Sequence, residues 1–372
     1  MEIKKNVNYR DEFNIGERWQ VFEGDTCVSA MSVNTKASRY MGNYITTGLV
    51  GGIGTPVEHR RRGYVRKMFD EMMAEIPERR WAVSMLHPFS FPYYRKFGYE
   101  RISDHLILEF PMQTLDFVPR CSDFVPVNTE ERQIDCCRIY EKFAEDKNIM
   151  FRRTDKESFP IDPGSGKKYY IYYDGGEPTA FAQTQIENYY SINRMVSVNL
   201  NLYEFGFISV KGMYALLGFL RMYEGQLESV KIHNAAMAPQ IDMALRYYNH
   251  TKYTVYPDIA ARVADFPLMM DARRWPDDSG SFTIRCIDPL LPSLDGVWQV
   301  EYSGGKCGTR KLDGDKEADI TLPVTALTQL VYGYYEFTPE NIIYLPGAEL
   351  HNPKSDLFRA FHKMDNGLFE HF

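Results

Sequence analysis

Apolar and polar positions alternate through Trp19-Gln-Val-Phe22 and Thr26 to Val33 on either side of Glu23-Gly24-Asp25, which predicts a hairpin. Tyr44 to Gly54 reads as the next strand and ends in the Gly-rich run Leu49-Val50-Gly51-Gly52-Ile53-Gly54. The apolar spacing then changes. Val65, Met68, Phe69, Met72, Met73 and Ile76 share one side of a helix over residues 64–76. Trp81 to His87 reads as a buried strand, and His105 to Phe110 as a strand that finishes the first block.

A second block repeats that order. Glu130 to Ile149 reads as a helix with Cys136, Ile139, Tyr140 and Phe143 spaced for burial. Strands at Tyr169–Tyr173 and Ala180–Thr184 flank the turn Asp174-Gly-Gly-Glu-Pro178; a helix over 211–223 and a strand at Val230–His233 follow. A third block has alternating strands at Ser281–Ile287, Gly296–Tyr302 and Ala318–Leu322, then a helix from Pro323 to Val331. The pattern predicts an α/β (α+β) chain divided into residues 1–118, 119–268 and 269–372.

The junction Thr55-Pro-Val-Glu-His-Arg-Arg-Arg-Gly-Tyr-Val-Arg66 lies between the Gly-rich strand and the first helix. The first turn of a helix carries unpaired N–H groups and the positive end of the dipole. Gly63 lacks the Cβ that would hold a phosphate away, and Arg60, Arg61 and Arg62 add permanent charge. Together these make a pyrophosphate cradle. The plain alternative is a solvated basic patch. A Walker loop is excluded because Gly-Lys-Ser/Thr is missing, and no G-x-G-x-x-G opens the helix. No R-x-x-G precedes the helix over 211–223, so the second block is not predicted to bind a cofactor.

The net charge of −7 argues against nucleic acid and suits a cationic substrate. No run of about 18 apolar residues predicts a membrane span, and the N-terminal residues lack a signal-peptide core. The six cysteines are scattered without C-x-x-C, and the eight histidines show no metal spacing, which predicts a reduced cytoplasmic protein without a metal.

Arg60-x-x-Gly63-x-Val65 resembles the R-x-x-G-x-G/A motif of the GCN5-related N-acetyltransferases (GNAT), and Tyr94-Arg-Lys-Phe-Gly-Tyr99 resembles the Y-x-x-F-G-Y that follows their fifth strand. With Arg262-Val-Ala-Asp265, Asp295-Gly-Val-Trp298 and the terminal Phe372, nearly the whole chain is similar to the Eis (enhanced intracellular survival) family. The resemblance implies two tandem GNAT-like domains with central mixed sheets and a C-terminal sterol-carrier-protein-2-like domain. It also implies hexamers, and acetyl transfer from acetyl-CoA to a primary amine of an aminoglycoside-like or polyamine-like cation. Ile53, Gly54 and Thr55 would meet the pantetheine and thioester; Arg61, Arg62, Gly63, Tyr64, Val65 and Arg66 would hold the pyrophosphate; Phe89 and Ser90 would flank the cofactor. Tyr94 falls on the general acid and Phe372 on the residue whose terminal carboxylate is the general base.

Bland readings stand beside these. Tyr94 is otherwise a core aromatic, Phe372 a frayed tail, and His87 a strand-end histidine. Thr55, Pro56, Val57 and Val65 depart from the family pattern, and only about 18 residues precede the Trp19 strand where the family places a strand and two helices. Two other functions remain: a lipid or small-molecule carrier with a vestigial transferase, and a protein-lysine acetyltransferase.

Overall fold

The structure is a computed structural model. It describes all residues except Met1, 11–14, 192, 193, 247, 315 and 371. The chain forms two compact units, one of residues 1–103, 257–366 and 370–372, the other of residues 104–256 and 367–369.

The first unit is built on a seven-stranded sheet. Its order is β1 (Glu2–Arg10), β2 (Ile15–Glu23), β3 (Thr26–Tyr40), β4 (Asn43–Gly54), β5 (Val83–Leu86), the strand Ala260–Val263, then β6 (Glu100–Arg101). The predicted hairpin is β2–β3, with Gly24 in the left-handed region at φ 59° where the chain reverses. Between β4 and β5 runs α1 (Tyr64–Arg79), which buries Met68, Phe69, Met72, Met73 and Ile76 on the side that the spacing assigned. Phe69 stacks on Phe97 at 4.1 Å between centroids. The short α2 (Phe91–Arg95) follows β5.

The same unit holds a five-stranded sheet in the order Lys306–Leu312, Gly296–Ser303, Gly280–Ile287, Ile320–Pro323, Glu349–Leu350, with a helix at Val324–Val331. Lys306–Leu312 escapes the apolar pattern because it is an exposed, mostly polar edge. It forms by pairing across a tight turn in which Gly304 and Gly305 both have positive φ.

The second unit has its own seven-stranded sheet, in the order Lys252–Pro257, Asp104–Pro111, Ser229–Ile232, Arg194–Phe207, Glu177–Ser191, Lys168–Asp174, Val125–Pro126. Helices Glu130–Phe143 and Val210–Arg221 complete its core. The first of these ends six residues before the predicted Ile149. Residues 199–202 run parallel to 229–232 with the second helix as crossover, repeating the arrangement of β4, α1 and β5.

One strand differs from the sequence reading. Asp104–Pro111 does not finish the first sheet but pairs with Ser229–Ile232 in the second. Beside β5 the first sheet instead takes Ala260–Val263, which is wholly buried. Alternation reports that a segment is a strand. It does not report which sheet supplies the partner.

Candidate functional site

β4 and β5 pair only over residues 47–49 and 83–85. Beyond Leu49, β4 pairs among the described residues with β3 alone, which leaves its other edge open. The register with β3 slips there: Ser32 faces Gly51 and Ala30 faces Gly54, leaving Gly52 and Ile53 opposite a single residue. This is a bulge. Gly52 takes φ 54°, a value that favours glycine, and Arg18 Nη1 fixes its carbonyl with a 3.1 Å bond. The bulge leaves Gly52 and Ile53 between the paired residues Gly51 and Gly54, beside the open edge.

The chain then enters the Arg-rich turn. Arg60 Nε donates to the Thr55 carbonyl at 3.1 Å, and Arg62 Nη2 to the Glu58 carbonyl at 3.2 Å. Arg61 (φ 61°) and Gly63 (φ 82°) are both left-handed, a curl that turns successive N–H groups to one side. No side chain caps α1, and a Cβ at Gly63 would meet nothing within 4 Å. The helix start is therefore open to an anion. Tyr64 is buried, and its hydroxyl donates to Glu23 Oε1 at 2.6 Å. That carboxylate raises the Tyr64 pKa and also draws Arg62 to 3.6 Å.

One cavity of about 1050 Å³ collects Ile53, Gly54, Thr55, Arg61, Arg62, Gly63, Tyr64, Val65, Arg66 and Phe89. These are ten of the eleven residues that the sequence assigned to the cofactor. Ser90 is not in that lining; its hydroxyl caps α2 by accepting from the Tyr93 N–H at 3.4 Å. The lining adds Pro56, His59, Arg60, Tyr93, Lys96 and Phe97. Arg60 opens the R-x-x-G run and carried a signal. Tyr93, Lys96 and Phe97 sit on and after α2, and only their contacts with the Arg turn, such as Arg66 over the Phe97 ring at 5.4 Å, reveal them.

Tyr94 does not line the cavity. It is 3% exposed, within rings of Phe69, Phe89, Tyr93 and Tyr99 whose centroids lie 5.2 to 6.4 Å away. Burial pushes its phenol well above the ordinary value. Its hydroxyl has no hydrogen-bond partner among the described residues. Phe372 reaches β4 at Gly51: a Cβ added there would lie 2.8 Å from the Phe372 oxygen. His87 packs on the Phe372 ring at 4.8 Å. Among the described residues no group of three or more His, Cys, Asp or Glu is placed to hold a metal.

Residues 3–102 match the acetyltransferase (GNAT) domain family. The chain carries a GNAT acetyltransferase domain. The splayed β4 and β5, the bulge and the Arg turn all belong to this GNAT domain, and residues 266–339 match the sterol carrier protein domain. No curated protein matches the chain. Among solved structures, a GCN5-related N-acetyltransferase from Anabaena variabilis shares the fold at TM-score 0.81 and 15% identity, over 95% of this chain and 89% of that one. A probable N-acyltransferase from Enterococcus faecalis does so at 0.80 and 16%, over 96% and 89%. Eis1 from Mycobacterium abscessus does so at 0.71 and 15%, over 97% and 91%. The GNAT domain thus sits in a chain whose fold, second unit included, recurs in these proteins.

Proposed function

We propose that the protein moves an acetyl group from acetyl-CoA to a primary amine of a cationic small molecule, aminoglycoside-like or polyamine-like. The observation that carries this reading is the single cavity joining the bulged strand edge to the open, Arg-flanked start of α1. A diphosphate suits the Arg61–Arg66 turn through N–H groups and charge together. A pantetheine arm suits the unpaired edge of β4, where its amides replace the missing strand.

The amine must be neutral to attack. The Phe372 carboxylate anchors the ammonium and takes a proton from it, directly or through water. N–H groups freed at the bulge stabilise the oxyanion that forms when nitrogen adds to the thioester carbonyl. The C–N bond forms and the C–S bond breaks. The donor to the departing sulfur is Tyr94, protonated at every biological pH, whose hydroxyl must reach the cavity past the lining rings of Phe89 and Tyr93 that pack on it. A thiol near 8.5 is the stronger acid. Tyr94 therefore acts by a hydrogen bond that tightens as charge builds on sulfur, and the proton released by the amine restores the balance.

The resemblance extends this reading to a cytoplasmic hexamer, which sedimentation would test. No helix among the described residues is long and apolar enough to cross a membrane. The reading of the cavity is tested by titrating acetyl-CoA into the wild type and Arg61→Ala/Arg62→Ala. The double variant binds about tenfold more weakly, with kcat at saturation near wild type. Equal affinity would remove the pyrophosphate role of the turn.

A further inference from the structure

The tail residue Phe372 meets β4 at one place. Gly51 has an ordinary φ, so no backbone constraint requires glycine there. A methyl group at this position would stand 2.8 Å from the Phe372 oxygen and 2.9 Å from its carboxyl carbon, and among the described residues no other atom comes within 4 Å apart from chain neighbours. Both distances are below van der Waals contact, so the missing side chain is a notch occupied by the chain terminus. On the other side stands His87, at the end of β5. Its Nε2 lies 3.3 Å from the Glu370 carbonyl, and its Nδ1 lies 3.4 Å from Asp258 Oδ1. Its ring covers the Phe372 ring at 4.8 Å with a 51° tilt. The imidazole is thus held at one nitrogen by the half-buried Asp258 carboxylate and holds the tail with the other nitrogen and its face.

We propose that Gly51 and His87 are positioning residues that seat the Phe372 carboxylate in the notch that Gly51 leaves on β4. The inference rests on the reading of that carboxylate as the base. Gly51 provides room beside the bulge, where the oxyanion donors are. His87, oriented by Asp258, keeps Glu370 and Phe372 from swinging away. Neither residue touches the reacting atoms. Each acts through the position of the carboxylate.

The test uses the full-length protein and two readouts. The first is the rate at which a carboxypeptidase releases Phe372, followed by mass spectrometry. The second is the split between kcat and acetyl-CoA affinity. Gly51→Ala releases Phe372 about tenfold faster than wild type and lowers kcat about tenfold, with acetyl-CoA affinity and Tm unchanged. His87→Ala moves both readouts in the same direction, and His87→Phe, which keeps the ring contact, recovers part of each. Wild-type release and wild-type kcat in Gly51→Ala would overturn the seat. Faster release with unchanged kcat would uphold the seat and overturn the base reading instead, as would full activity after deletion of Phe372.

Discussion

On the proposed reading, Tyr94 and Phe372 carry the chemistry at the scale of single residues. Tyr94→Phe removes one hydroxyl that bonds to no described residue, so folding is unaffected while kcat falls at least about tenfold and acetyl-CoA affinity holds. A steady-state assay with calorimetric binding checks this, and unchanged kcat refutes the acid role. Because burial holds the Tyr94 phenol above its ordinary value, the alkaline side of the rate profile shows no loss from this group below about pH 10. Its neighbour Tyr99, fully buried with its hydroxyl 2.6 Å from that of Ser84, is pushed up to about 12. The folded state keeps that proton while the unfolded chain loses it near 10, so this contribution is constant below about pH 10 and lost between about 10 and 12. Denaturant titrations across that window check the sign. The Y-x-x-F-G-Y phrase located Tyr94 in the sequence, but its withdrawal from the cavity depends on how Phe89 and Tyr93 close over it. The Gly-rich run was equally visible, yet only pairing distinguishes Gly51, which makes room, from Gly52, which bends the strand.

Local elements hold these residues in place. The turn after α2 passes through Gly98 at φ 80°, and Arg262 Nη1 donates to the Phe97 carbonyl at 2.8 Å. Arg262 also pairs with Asp288, and both side chains are out of solvent. Desolvation raises the Asp288 pKa and the guanidinium opposes it. Arg262→Met leaves that carboxyl without its partner and destabilises the unit by about 3–5 kcal/mol, of which Arg262→Met/Asp288→Leu recovers most. Chemical denaturation of both variants measures this; an additive double variant would contradict it. Arg262-Val-Ala-Asp265 was legible as a motif, and Asp265 does cap the next helix by accepting from Leu268 N–H at 2.9 Å. The insertion of Ala260–Val263 beside β5 was not legible, because four small and mixed residues carry no alternation long enough to name a partner strand.

Across the whole molecule, the repeated strand–helix–strand order was readable in the sequence and recurs in both units. The second unit lacks the Arg turn. The tail residues counted with it fill part of its core: Asn234 Nδ2 donates to the Leu368 carbonyl at 2.8 Å, and Phe369 packs edge-on to Phe205 at 5.4 Å. Calorimetry should therefore give one acetyl-CoA per chain, and a second equivalent would require a site in that unit. The central claim is acetyl transfer to an amine, and the direct measurement is release of CoA thiol from acetyl-CoA by the purified protein across aminoglycosides, polyamines and lysine peptides. Release that depends on a small cationic amine, and that falls about tenfold in Tyr94→Phe, is the predicted result. Release only with lysine peptides would contradict the acceptor class, and no acetyl-CoA binding at all would contradict the account.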